Sequence, residues 1–225
     1  MPLKKNNPSA LLVSRRHLAQ LLVLAVAGAG VAHILRKSSP LGRDISSNEI
    51  AQAVLHDKNS PSQEVAQPTL TLVIFTDYRC PACKIANTAM EKAVQQDRHV
   101  RVIYRDWPIF GPMSERAARV AIASDRQGIY PLVHARLMHE RRDLDEGILR
   151  YAVERSGGNW TQIETDLQAF GEFIDDQLRR NRQDAFQLSL TGTPSYLAGP
   201  IIVTGAQDET SFKRLFAAGR EAVKE

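Results

Sequence analysis

Cys80 and Cys83 are the only two cysteines in the 225-residue chain, and they stand three positions apart. The apolar, β-branched run Thr69–Thr76 before them predicts a buried strand, and apolar residues at helical spacing predict a helix over 82–96. Pro81 suits the first turn of that helix, where a missing N–H costs nothing. Cys80 would then lie at the helix N-terminus, where unpaired N–H groups and the helix dipole favour a thiolate. Cys83, one turn further on, is placed to attack a mixed disulfide at Cys80, so the pair predicts a reversible dithiol/disulfide site.

Other uses of two cysteines fit the sequence less well. A structural zinc site takes about four ligands, but there is no second cysteine pair and the six histidines show no tight ligand spacing. Haem attachment would need a histidine after Cys83, where Lys84 stands. A purely structural disulfide would close a very short loop and stabilise little. We therefore expect no metal site, and no cofactor beyond the redox-active Cys80–Cys83 disulfide itself.

The net charge of +4 invites a nucleic-acid-binding interpretation. However, six of the 29 basic residues and no acidic residue precede residue 38, which leaves 23 basic and 25 acidic residues, a net charge of −2, in the remainder. The positive charge therefore belongs to the N-terminal segment. We expect no nucleic acid among the partners.

Residues 1–37 have the features of a signal peptide or membrane anchor. Basic residues precede a nearly unbroken apolar run, 18–35, which contains small-residue cleavage motifs and is almost long enough to span a bilayer. An exported compartment permits disulfides, which agrees with a redox site. The polar stretch 38–67 is predicted to be a linker or short N-terminal extension with one short amphipathic helix, Asn48–His56.

The catalytic domain is predicted to begin near Pro68 and to occupy residues 68–225. His99–Arg105 is predicted as a second strand, and a strand–helix–strand unit of this length favours parallel strands joined by a right-handed crossover. A proline-rich loop, 106–112, follows this strand.

An almost wholly helical insertion is predicted over about 113–190, and Ser114 is the predicted cap of its first helix. Ser195–Ala198 and Ile201–Thr204 then predict a β-hairpin, and a helix over about 208–223 closes the chain. The predicted order is β-α-β, helical insertion, β-β-α.

Thr193 and Pro194 stand immediately before the hairpin. In a sheet of the predicted order, their loop can lie beside the end of the first strand and face Cys80. The Thr193–Pro194 bond there is either trans or cis. Proline has no N–H of its own, and the N–H and C=O of the preceding residue remain free to pair with an extended substrate chain. We therefore assign Thr193 and Pro194 to substrate binding.

Three segments, Phe75–Cys83, Tyr104–Ile109 and Ser114–Ala118, together with Thr193-Pro194, make the chain resemble the DsbA-like thioredoxin-fold thiol–disulfide oxidoreductases, with a closer likeness to their Com1/ScsC-type branch. The resemblance covers about residues 48–224. It implies an α/β thioredoxin fold, a central mixed sheet with an inserted all-helical subdomain. It also implies that Cys80 is the nucleophile, Cys83 the resolving thiol and Thr193-Pro194 a cis-proline loop.

Two positions depart from the strong oxidases of that family. Ala82 stands where they often have histidine, and Ile74 occupies the strand position where the best-known oxidase buries an acid; Asp77 is the nearer acid here. Ala82 gives the Cys80 thiolate neither a charge nor a hydrogen bond, so its stabilisation rests on helix N–H groups and the dipole. We assign Pro81, Ala82 and Asp77 to active-site support. We expect the Cys80–Cys83 couple to be less oxidising than that of an enzyme with histidine in place of Ala82.

The expected function is disulfide formation or exchange in client proteins through a mixed disulfide at Cys80. A disulfide isomerase or reductase would use the same atoms. The alternative from another class is a non-catalytic exported protein whose dithiol holds a soft ion such as Cu(I). The expected partners are exported clients with cysteines and a membrane redox partner, either a quinone-linked oxidase or an electron-donating reductase. The expected location is the bacterial periplasm, with the chain either soluble after signal cleavage or anchored to the inner membrane.

Overall fold

A computed structural model describes residues 20, 21, 24, 28 and 41–223. The first four of these are helical, but most of the predicted signal peptide or anchor, residues 1–37, lies outside the described residues. Within the described part of the chain, no helix has both the length and the apolar character needed to cross a membrane.

Residues 41–223 contain six strands and eight helices. In chain order these are β1 (Arg43–Asp44), α1 (Glu49–Leu55), β2 (Ser62–Gln63), β3 (Leu70–Thr76), α2 (Pro81–Asp97), β4 (Val100–Asp106), α3 (Pro112–Asp125), α4 (Tyr130–His139), α5 (Glu146–Arg155), α6 (Trp160–Ala169), α7 (Gly171–Gln187), β5 (Ser195–Ala198), β6 (Ile201–Thr204) and α8 (Glu209–Ala222). From β3 onwards this is the predicted order, β-α-β, helical insertion, β-β-α.

The strands form one mixed sheet in the order β1-β6-β5-β3-β4-β2. β3 pairs in parallel with β4, with Thr76 opposite Asp106, and antiparallel with β5, with Phe75 opposite Ser195. The carboxyl ends of β3 and β4 and the amino end of β5 therefore meet at one edge of the sheet. The loops that carry Cys80 and Thr193 both leave from this edge. The predicted α/β thioredoxin fold with a helical insertion is confirmed.

Helices cover both faces of the sheet because the side chains of β3 alternate between two buried clusters. Leu72 and Ile74 join the cluster that α2 and α8 cover, whereas Val73 and Phe75 join the cluster that α1 and α7 cover. All four side chains are almost fully buried. β3 is thus held from both faces, which fixes the strand that ends at the cysteines.

α8 approaches β5 closely at Gly219. A Cβ atom added at Gly219 would lie 2.4 Å from the carbonyl oxygen of Ala198. Only glycine permits this distance between helix and strand. The closing helix can therefore hold the β5–β6 hairpin against the sheet.

Residues 41–67, predicted as a linker or extension, pack on the same compact unit. β1 pairs with β6 and β2 pairs with β4, so these two short strands form the outer edges of the sheet. The predicted helix is present as α1, and the Asn48 side chain accepts a hydrogen bond from the Ala51 N–H as its cap. The predicted domain start at Pro68 falls inside this unit, which begins at Leu41, because backbone pairing ties both edge strands to the sheet.

Arg105 of β4 joins this N-terminal region to the helical insertion. Its buried guanidinium lies 2.9 Å from Asp57, which follows α1, and 3.1 Å from Asp184 of α7. It also donates to the Asn181 side chain over 2.9 Å. A buried cation left without such partners would be strongly destabilising. The cluster therefore fixes both segments to the end of β4.

The helical insertion comprises α3–α7, residues 112–187, close to the predicted 113–190. α6 has the predicted bounds, but α3 begins at Pro112 with Gly111 as its cap and no side-chain cap bond. The prediction that Ser114 caps this helix is therefore wrong. The reason is that the Ser114 hydroxyl donates to the Asp77 carboxylate instead, over 2.5 Å.

Candidate active site

Cys80 caps the N-terminus of α2, as the sequence predicts. Its sulfur accepts a hydrogen bond from the Cys83 N–H over 3.1 Å. Pro81 is the first residue of the helix, where its missing N–H costs no intrahelical hydrogen bond. The two remaining features of this end, free N–H groups and the positive end of the helix dipole, both favour negative charge on the sulfur.

The predicted substrate loop lies beside Cys80. The Thr193–Pro194 peptide bond is cis, and the Cys80 sulfur lies 3.4 Å from the Thr193 carbonyl oxygen, to which it donates when protonated. The Gly205 N–H donates to the Pro194 carbonyl oxygen over 2.8 Å, which anchors the loop to the end of β6. Thus the structure brings Thr193 beside the two cysteines, although it lies more than a hundred residues after them in the sequence.

The two free thiols differ strongly in acidity. The pKa of Cys80 is lowered to about 6, chiefly because the Cys83 side chain donates to its sulfur. The Thr193 side chain and the Cys83 N–H lower this pKa further, while burial and the negative charge of Asp77 oppose them. Burial raises the pKa of Cys83 far above its ordinary value. The hydrogen bond that the Cys83 thiol donates to Cys80 raises this pKa as well. At neutral pH the pair is therefore one thiolate beside one thiol.

Ala82 makes no polar contribution to this arrangement. It is half-buried and packs against the core cluster under α2. Ile74 is buried in the same cluster, so its side chain likewise brings no charge to the cysteines.

Asp77 is buried and accepts four hydrogen bonds from three segments of chain. One carboxylate oxygen accepts from the Arg79 N–H over 2.7 Å and from the Ser114 hydroxyl over 2.5 Å. The other accepts from the N–H groups of Ile109 and Phe110, over 2.6 and 3.0 Å. Asp77 therefore lies close to Cys80 in the structure, and its carboxylate contacts three backbone N–H groups and the Ser114 hydroxyl rather than a sulfur atom.

A buried polar network behind the cysteine loop was not predicted. The Tyr78 hydroxyl lies 3.2 Å from the Tyr130 hydroxyl and 3.0 Å from Nδ1 of His134, and Tyr130 donates to Asp106 over 2.9 Å. Burial raises the pKa of Asp106 to about 7 and lowers the pKa of His134 to about 3. The one sequence signal was the position of Asp106 at the carboxyl end of a strand, next to the strand that leads to Cys80.

The thiols of Cys80 and Cys83 are also the atoms that a soft metal ion would prefer. Among the residues that the structure describes, no cluster of three or more histidine, cysteine or acidic side chains is arranged to hold a metal ion. Among histidine, cysteine and acidic side chains, a metal ion at this site would therefore have only the two sulfur atoms as ligands within the described residues.

The sequence matches the family described as DSBA-like thioredoxin domain over residues 71–217. A thioredoxin-like oxidoreductase from Silicibacter pomeroyi is 28% identical, with a TM-score of 0.71 over 77% of this chain and 98% of that one. A periplasmic thioredoxin-like protein from Salmonella enterica serovar Typhimurium is also 28% identical, with a TM-score of 0.65 over 77% and 97%. The catalytic domain of Proteus mirabilis ScsC shares the fold, at 24% identity and a TM-score of 0.67 over 78% and 97%.

Curated relatives with sequence similarity include the Na(+)/H(+) antiporter NhaA 3 of Salinispora tropica, which is 29% identical over 135 residues. That alignment covers 56% of this chain and 20% of the antiporter. The chain spans a fifth to a quarter of the length of the curated relatives it matches, so ion transport is not transferred to it.

Proposed function

Because the chain belongs to the family of DSBA-like thioredoxin domains, we propose that Cys80 and Cys83 exchange disulfides with exported client proteins that contain cysteines. The family membership confirms the predicted resemblance and the predicted class of enzyme, a DsbA-like thiol–disulfide oxidoreductase. The observation that carries the proposal is the position of the Cys80 sulfur, which accepts from the Cys83 N–H at the N-terminus of α2 and lies beside the cis Thr193–Pro194 bond.

In the forming direction, a client thiolate attacks the Cys80 sulfur of the Cys80–Cys83 disulfide. The S–S bond breaks, Cys83 leaves and takes up a proton, and Cys80 is bonded to the client. A second client thiolate then attacks the client sulfur of this mixed disulfide and expels Cys80 as a thiolate. The client loses two electrons and two protons. Both electrons remain on the reduced enzyme, one proton is on Cys83, and the other has gone to solvent. The low pKa makes Cys80 a good leaving group in this second step.

The same atoms serve isomerisation or reduction when the enzyme begins reduced. The Cys80 thiolate then attacks a client disulfide, and Cys83 resolves the mixed disulfide. Each hydrogen bond to the Cys80 thiolate stabilises the reduced enzyme, so the geometry favours transfer of electrons from client thiols to the enzyme disulfide. We therefore propose disulfide formation as the leading direction, with isomerisation or reduction as the alternative.

Turnover in the forming direction needs a partner that removes electrons from the dithiol. We propose a quinone-linked membrane oxidase for this role, or an electron-donating membrane reductase if the enzyme works reduced. The export features of residues 1–37 and the likeness to a neighbour named as periplasmic support a periplasmic location.

The test is thiol loss in a reduced, unfolded client protein mixed with the oxidised enzyme. Cys80→Ser should abolish exchange. Reduced Cys83→Ser, mixed instead with a client that contains a disulfide, should accumulate a mixed disulfide that a reductant releases. Unchanged exchange by Cys80→Ser would refute the proposal. Acid-trapped cells would separate the directions, since a mostly oxidised pair supports formation and a mostly reduced pair supports isomerisation or reduction. Stoichiometric Cu(I) retained on the purified protein would instead favour the metal-handling function.

A further inference from the structure

The buried Asp77 carboxylate takes no part in the bond-breaking steps, although it lies three residues before Cys80. Its side chain is 1% exposed, and all four of its hydrogen bonds come from protein donors in three segments. These segments are the loop that leads to Cys80, the 107–111 loop after β4, and the first turn of α3.

One further contact closes the Cys80 loop on itself, and another ties this loop to the 107–111 loop. The Cys80 N–H donates to the Asp77 carbonyl oxygen over 3.1 Å. The Arg79 guanidinium donates to the Phe110 carbonyl oxygen over 2.9 Å. The segment on the amino side of Cys80 is thus joined to residue 110 by two side chains, the Asp77 carboxylate and the Arg79 guanidinium.

The charge of Asp77 acts against the chemistry at the sulfur, since it raises the pKa of Cys80. A neutral residue would favour the thiolate more. An asparagine could not replace all the contacts, however, because its amide nitrogen would face N–H or O–H donors. Only a carboxylate can accept from all four donors. The hydrogen bonds of Asp77, rather than activation of Cys80, therefore explain why an acid stands at this position.

We propose that Asp77 is a positioning residue, which holds the Cys80 loop and the 107–111 loop as one rigid unit so that a client chain meets the Cys80 sulfur in a fixed geometry. The inference rests on the proposed function. Ile109 and Phe110, which are 45% and 44% exposed, form an apolar surface on the 107–111 loop. Asp77 would hold this surface at a fixed distance from the Cys80 sulfur, where a client chain can contact both.

Three variants separate the hydrogen bonds of Asp77 from its charge. Asp77→Ala loses both. Asp77→Asn loses the charge but can keep up to three contacts, because the Ser114 hydroxyl can turn and accept from the amide. Ser114→Ala loses one contact and keeps the charge. The readouts are kcat/KM for oxidation of a reduced, unfolded client, the rate at which reduced dithiothreitol, a small dithiol, reduces the Cys80–Cys83 disulfide, and the Cys80 pKa from thiolate absorbance.

For the client, kcat/KM should fall about tenfold in Asp77→Ala and about two- to threefold in Ser114→Ala, because a misplaced reacting group is costly even over small distances. The rate of reduction by dithiothreitol should change less than about twofold, since a small dithiol needs no aligned chain. In Asp77→Asn the Cys80 pKa should fall while client exchange also slows, a combination that a purely activating role cannot produce.

A folded Asp77→Asn with a lower Cys80 pKa and unchanged or faster client exchange would overturn the inference. If Asp77→Ala does not fold by circular dichroism, Ser114→Ala decides, and a wild-type kcat/KM in that variant overturns it. Absence of exchange in the wild-type protein would refute the proposed function, a result distinct from equal activity of wild type and variants.

Discussion

Replacing Cys83 with alanine should raise the pKa of Cys80 and remove much of its thiolate at neutral pH. The Cys83 side chain makes the largest contribution that lowers the Cys80 pKa to about 6. A hydrogen bond to a charged group contributes about 1.5–3 kcal/mol, and one pKa unit corresponds to about 1.4 kcal/mol. Loss of this donor should therefore raise the Cys80 pKa by about 1–2 units. The thiolate fraction at pH 7 would fall from about nine-tenths to between about one-half and one-tenth.

The assay is a pH titration of thiolate absorbance, repeated as the rate of alkylation by iodoacetamide. Cys83→Ser is the matched control, because it keeps an O–H donor on the same Cβ atom. The Cys80 pKa should be lower in Cys83→Ser than in Cys83→Ala. A Cys80 pKa that stays near the wild-type value in Cys83→Ala would show that the helix N-terminus and Thr193 suffice, and it would refute the reasoning.

Three further predictions concern stability. Folding lowers the pKa of Cys80 from about 8.5 to about 6, so the thiolate stabilises the reduced protein fully above the unfolded value, and this stability is lost as the pH falls through the folded value. In urea unfolding, the advantage of reduced wild type over Cys80→Ala should thus be about 3 kcal/mol larger at pH 8.5 than at pH 5.5; a pH-independent difference contradicts this. Arg105→Ala leaves two carboxylates without their cation and should lower the free energy of unfolding by about 3 kcal/mol, whereas Arg150→Ala, in an exposed pair, should cost less than about 1 kcal/mol. Gly219→Ala should cost about 1–3 kcal/mol, because its Cβ meets the Ala198 carbonyl; a wild-type urea midpoint would contradict the packing described.

The dithiol and the strand–helix unit around it could be predicted because they depend on local signals. Residue type and spacing define the Cys80–Cys83 pair, and the periods of strand and helix define β3 and α2. The long helices of the insertion were predictable for the same reason, since each buries one apolar stripe; α6, at Trp160–Ala169, has the predicted bounds.

The elements that sequence reasoning missed depend on tertiary contacts. Arg43–Asp44 and Ser62–Gln63 are polar two-residue strands that pair on one side only, so no apolar pattern indicates them. Ser114 has the residue type of a helix cap, but its hydroxyl donates to Asp77, which lies in a segment 37 residues earlier. The network at Asp106 likewise exists only after β4 and α4 have packed together.

The insertion leaves the sheet after Asp106 and the chain returns to it at Ser195, both at the edge where Cys80 lies. The backbone ladder of β3, β4 and β5 is complete without the insertion. The chain is therefore modular, because the insertion could be exchanged for another without altering the strand register that spaces Cys80 from Thr193. Such an exchange would cost side-chain packing rather than strand pairing. The contact that such an exchange would have to keep is the hydroxyl of Ser114, because it lies on the insertion and donates to Asp77 beside Cys80.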